Sequence, residues 1–116
     1  MSESSEQIAL FQWAVYNEGK LPELKLLYAI PNGGKRYKTT AIRLKKEGVR
    51  SGVPDLCLPV ARQSFHGLYI EMKIDRNKPS ENQIWWINQL SRQGYKVKTC
   101  WGWVEAKGEI EAYLKG

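Results

Sequence analysis

In the stretch GLYIEMKIDR, Gly67 to Arg76, three residues recur at every second position among apolar neighbours: Glu71, Lys73 and Asp75. Such alternation reads as a β-strand, and side chains two apart on a strand share a face. Glu71 and Lys73 then stand side by side, roughly 6–7 Å apart at the backbone, with Asp75 next in line. A further carboxylate, Asp55, follows Pro54 in SGVPDLCLP, at the start of another apolar strand. Pro54 fixes its own φ and pushes Val53 toward extended geometry, so the backbone there is stiff. If the two strands pair as a hairpin, Asp55 and Glu71 lie near each other on one face with Lys73 beside them. Like charges so placed repel unless a cation sits between them, and oxygen ligands with room for water suit Mg²⁺ or Mn²⁺. The expected donors are Asp55, Glu71 and the carbonyl of Met72. Lys73 is the expected catalytic base, beside the attacking water, and the matching substrate is a phosphodiester.

The charge balance points the same way. The chain of 116 residues has a formal net charge of +6. Between positions 35 and 50 lie Lys35, Arg36, Lys38, Arg43, Lys45, Lys46 and Arg50 against the single acid Glu47, a surplus equal to that whole excess. A concentrated basic segment is what a nucleic-acid partner requires, although a solvated helix face has the same composition.

The length suits one domain, residues 1–116, able to bury a core without staples. Apolar content of 42% and charged content of 26% match an ordinary folded protein rather than a disordered one. No stretch has the length of a membrane span, and MSESSEQIALFQW lacks the basic start of a signal peptide, so a cytoplasmic protein is expected. Cys57 and Cys100 sit in apolar segments and read as reduced, buried thiols. With His66 as the lone histidine, Cys and His alone cannot supply a four-ligand zinc site.

A first helix is expected from about Ser5 to Asn17, capped by Ser4 with Gln7 three residues on and striped by Ile8, Phe11 and Val15. LKLLYAI reads as a buried strand closed by the turn PNGG, followed by a short basic helix from about Thr39 to Glu47. VPDLCLPV and GLYIEMKID are the next strands. Ser80 caps a helix through about Arg92, YKVKTCWG is a fourth strand, and VEAKGEIEAYLK a closing helix. The order α-β-α-β-β-α-β-α implies an α/β fold, a small mixed sheet flanked by helices.

With Pro54–Asp55 followed by Glu71-Met72-Lys73, the chain resembles the PD-(D/E)XK nuclease superfamily, and IPNGGKR, GVRSGVPDL and LYIEMK resemble its VRR-NUC branch. The resemblance spans nearly the whole chain. It implies a restriction-endonuclease-like core, metal-dependent DNA cleavage and, for short stand-alone members, homodimers that cut four-way (Holliday) junctions. It also implies a first-helix glutamate in the metal site, and Glu6 stands at the matching place, sharing a stripe with Leu10 and Trp13. An acid complementing the helix dipole is the alternative for Glu6. Gln83 falls on the stripe of Ile87 and Leu90 and faces the sheet, where the resemblance implies an active-site partner of the lysine or the metal-bound water; an ordinary polar residue near a helix start is the alternative. One departure is AIP at Ala29–Pro31, where many relatives carry histidine.

The resulting expectation is a Mg²⁺- or Mn²⁺-dependent DNA endonuclease acting on branched DNA as a homodimer. The rivals are a non-catalytic DNA-binding module on the same scaffold, and a nuclease for linear duplex or flap DNA. Trp85, Trp86, Trp101 and Trp103 read as core or subunit contacts rather than base-stacking platforms.

Overall fold

The computed structural model describes residues 1–31 and 38–116, leaving the side chains of residues 38 and 39 outside that description. The elements are α1 (Glu3–Tyr16), a 3₁₀ turn (Pro22–Leu26), β1 (Tyr28–Ala29), α2 (Lys38–Lys46), β2 (Leu56–Leu58), β3 (Leu68–Lys73), α3 (Glu81–Arg92), β4 (Lys96–Trp101) and α4 (Trp103–Lys115). This is the expected α/β order and a mixed four-stranded sheet. Its strands run β1-β2-β3-β4, with β1, β2 and β3 antiparallel and β4 parallel to β3.

Alternation along β3 decides how the layers stack. Leu68, Ile70 and Met72 point to one face and pack with Leu56, Leu58 and Cys100 against Leu10 and Ala14 of α1 and Ala106, Ile110 and Tyr113 of α4. Removing this apolar surface from water is the main source of stability. Tyr69, Glu71 and Lys73 point to the opposite face, toward α3, which buries none of its own residues fully. A tyrosine hydroxyl closes the core: Tyr113 is fully buried and donates a hydrogen bond to the carbonyl of Val60. Tyr113→Phe strands that carbonyl and is expected to cost about 1–2 kcal/mol, read as a lower midpoint in urea unfolding.

Four expectations are corrected. Helix α1 starts two residues early: Ser2, not Ser4, is the cap, and it exchanges hydrogen bonds with Ser5 at 3.0 and 2.9 Å. The serine-rich start offers several capping pairs, and the early one places Glu3 in the first turn, where a carboxylate complements the helix dipole. The apolar stripe is also different. Ile8 and Val15 are exposed, and Leu10 and Ala14 make the buried seam.

LKLLYAI is not one buried strand. Leu24 and Leu27, both buried, are three apart, a spacing that suits a 3₁₀ turn, where side chains three apart line up. Only Tyr28 and Ala29 remain extended, as an exposed edge. Asp75, finally, does not continue the row of Glu71 and Lys73, because β3 ends at Lys73 and Asp75 has φ +53° in the turn beyond. The remaining helices and strands lie where expected, within a few residues at their ends.

Candidate active site

Strand register brings the two acids together. In the β2–β3 ladder Leu56 faces Ile70 and Cys57 faces Tyr69. One further step sets Asp55 opposite Glu71, on the same face of the sheet. The backbone holds Asp55 at that place: its carbonyl accepts from Ile30 N at 2.7 Å, and its Oδ2 accepts from Met72 N at 2.7 Å. The N–H and C=O of one strand residue point the same way, so the Met72 carbonyl also faces the Asp55 side. Lys73, the next residue, points its own carbonyl to the other side, where Gly102 N donates to it at 3.0 Å.

Glu71 is 1% exposed. Its Oε2 accepts from Gln83 Nε2 at 3.1 Å and lies 3.7 Å from Lys73 Nζ. Its Oε1 is buried with no hydrogen-bond partner among the described residues. Burial first, and then the neighbouring Asp55 carboxylate, push the Glu71 carboxyl far above the usual range; Lys73 opposes this and Glu3 adds to it. The Asp55 carboxylate across the rung thus favours the neutral form of Glu71. Without a metal, Glu71 therefore holds a proton at neutral pH.

Gln83 links this site to the start of α3. Its Oε1 accepts from Ser80 N at 2.9 Å, completing a capping box, while its Nε2 reaches Glu71. One side chain thus fixes a helix terminus and orients the buried acid. Gln83→Ala removes both bonds and is expected to cost about 1–2 kcal/mol, checked by urea denaturation at constant pH.

The VRR-NUC domain matches residues 2–103 of this sequence. The chain belongs to the VRR-NUC family. Among solved structures, one described as a VRR_NUC domain protein superposes with a TM-score of 0.83 at 27% identity, covering 99% of this chain and 89% of that one. No curated protein matches the chain. A VRR-NUC domain is a nuclease-type DNA-processing unit, and DNA is the substrate that membership implies.

The donor chemistry of this VRR-NUC domain fits a hard divalent cation. A buried carboxylate oxygen lacking a partner, a second carboxylate one rung away and a strand carbonyl on the same side are the oxygen ligands that Mg²⁺ or Mn²⁺ prefer. Among the described residues, however, no group of three or more His, Cys, Asp or Glu side chains is gathered for a metal. Glu6 therefore does not join Asp55 and Glu71 in such a group. Its Oε1 instead accepts from Trp103 N at 3.0 Å, satisfying an orphan N–H at the start of α4. Next to it, Gly102 has φ +88°, and a Cβ there would come 3.1 Å from that same oxygen.

Glu3, one helical turn before Glu6, adds the smallest of the named influences that raise the Glu71 carboxyl. Of the basic segment, Arg43, Lys45 and Lys46 on α2 and Arg50 beyond it are exposed. Lys35, Arg36 and the side chain of Lys38 lie outside the described residues. Among the described residues no helix is long and apolar enough to cross a membrane.

Proposed function

We propose that this VRR-NUC domain is a divalent-metal-dependent DNA endonuclease that hydrolyses phosphodiester bonds in branched DNA. The observation that carries the proposal is the buried Glu71 carboxyl, with one oxygen unpartnered among the described residues, set opposite Asp55 and 3.7 Å from Lys73 Nζ. A structural ion pair gains little from a second carboxylate beside the first, whereas a cation site requires one. Mg²⁺ or Mn²⁺ held by Asp55, Glu71 and the Met72 carbonyl would polarise the phosphoryl group and ease deprotonation of water.

The protein's own groups do the rest. Lys73 orients the attacking water and, as the ammonium, offsets charge on the phosphoryl oxygens; in its neutral amine form it is the base that takes the water's proton. Gln83 keeps Glu71 in place. Arg43, Lys45, Lys46 and Arg50, together with Lys35, Arg36 and Lys38, grip the phosphate backbone. One chain carries one such site, and symmetric cutting of a four-way junction needs two, which a two-fold homodimer supplies.

The test is a panel of labelled four-way junction, flap and linear duplex DNA, incubated with the protein in Mg²⁺, in Mn²⁺ and in EDTA. Junction cleavage in either metal, lost in EDTA, is the expected result. Cutting of linear duplex or flap alone reassigns the substrate. Binding without cutting in any metal makes the domain a DNA-binding module.

A further inference from the structure

The helix α2 and the first half of α3 border a cleft of about 1010 Å³, lined among others by Lys45, Arg50, Ser51, Asn82, Trp85 and Trp86. Its construction is rigid on one wall. Asn82 Nδ2 donates to the Ser51 carbonyl at 2.9 Å and lies 3.0 Å from Ser51 Oγ, tying α3 to the loop that leads into Pro54 and Asp55. Trp86 is seated against the backbone of Gly52, where an added Cβ would come 3.0 Å from Trp86 Cδ1 and 2.6 Å from Asn82 Nδ2. Trp85 meets Trp86 edge to face at 5.4 Å, yet remains 54% exposed.

A half-exposed indole at the rim of a cleft carrying Lys45 and Arg50 is poorly explained by core packing. An indole offers a flat face on which any nucleobase can stack, and the two cations complement a phosphate. Glu81 also borders the cleft, and its carboxylate disfavours a phosphate beside the first turn of α3. The phosphate therefore belongs on the side of α2 and Arg50. The cleft is continuous with the acid pair through the chain: Asn82 precedes Gln83, which bonds Glu71, and Ser51 stands four residues before Asp55.

Resting on the nuclease reading, we infer that this cleft receives an unpaired nucleotide of the DNA substrate, its base stacked on Trp85 and its phosphate facing Lys45 and Arg50. A nucleotide held there keeps the neighbouring phosphodiester close to Asp55 and Glu71. Substrates with unpaired bases, such as gaps and flaps, are then preferred over continuous duplex because they deliver a base to the indole without breaking a pair; a fully paired four-way junction delivers one by opening a pair at its crossover.

Binding in EDTA tests this without any dependence on cleavage. Fluorescence anisotropy at fixed salt compares a continuous duplex with the same duplex interrupted by a short single-stranded gap. The parent protein should favour the gapped DNA. Trp85→Ala should weaken that binding by about 5- to 100-fold while changing duplex binding by no more than about twofold, and Trp85→Phe should retain the preference. Circular dichroism checks that the variants fold, and sedimentation reports their mass. Equal affinity of the parent for both probes, an equal loss on both in Trp85→Ala, or a changed mass with the preference kept would overturn the assignment. Absence of DNA binding by the parent would overturn the nuclease reading as well, whereas duplex binding without preference removes only the cleft.

Discussion

Lys73→Ala is expected to lower the rate of phosphodiester cleavage by about 10²- to 10⁴-fold while leaving DNA affinity within about threefold of the parent. Lys73 is 8% exposed, so its ammonium adds little to a phosphate grip spread over the surface of α2. Its charge instead lies 3.7 Å from Glu71 Oε2. Removing it also removes a charge that draws the Glu71 carboxyl downward, so metal uptake at neutral pH weakens as well. The two effects separate by titrating Mn²⁺. Recovery of the full rate at saturating Mn²⁺ would make Lys73 an electrostatic support for the acids. A persistent defect places it at the water, and an unchanged rate at all metal concentrations would remove the mechanism.

The second large effect concerns stability and its dependence on pH. Glu71 sits in the folded protein with its carboxyl raised to about 9 from an ordinary value of 4.5, first by burial and then by Asp55. Folding therefore takes up a proton between those limits, and the metal-free protein must lose stability as pH rises through that window. Below the window the carboxyl is protonated in both states and the dependence vanishes.

Glu71→Gln preserves the shape, keeps an oxygen to accept from Gln83 and supplies an N–H for Asp55. The variant should be more stable than the metal-free parent at pH 8 by about 2–4 kcal/mol, with most of the difference gone at pH 5. Urea unfolding in EDTA at the two pH values checks this. Mn²⁺ should stabilise the parent at pH 8 and have little effect on the variant, because a ligand that binds only the folded state shifts unfolding by mass action. Cleavage by Glu71→Gln should be abolished. A parent whose stability is flat from pH 5 to 8 would contradict the proton on Glu71.

Several features of the site could be read before any fold was known. Side-chain direction in a strand alternates, so Glu71 and Lys73 had to share a face. Ser80 could be read as the cap of α3, and the stripe shared with Ile87 and Leu90 put Gln83 on the face that meets the sheet; the capping box between the two is what the structure adds. These are local properties, set by backbone geometry within a few residues.

The misreadings share a different cause. Ile8, Phe11 and Val15 form as good a helical stripe as Leu10 and Ala14, and only contact with β3 and α4 decides which one is buried. LKLLYAI could be strand or turn until β2 supplied a partner for just two of its residues. Glu6 and Glu3 occupy equivalent faces of α1, and the arrival of the α4 N-terminus beside Glu6 settled which acid is engaged there.

By itself the amino-acid sequence determined the order of elements, the basic segment, and which residues are candidates for the chemistry, because these depend on residue type and on periodicities of two and about 3.6 along the chain. Only the tertiary structure decided that Asp55 faces Glu71 across one rung, that Glu71 lies buried with an oxygen unpartnered among the described residues, and that Trp85 stands at the rim of a cleft. Distances between segments far apart in sequence follow from strand register and helix packing, and burial, which sets the Glu71 proton affinity, is a property of the assembled layers rather than of any one stretch.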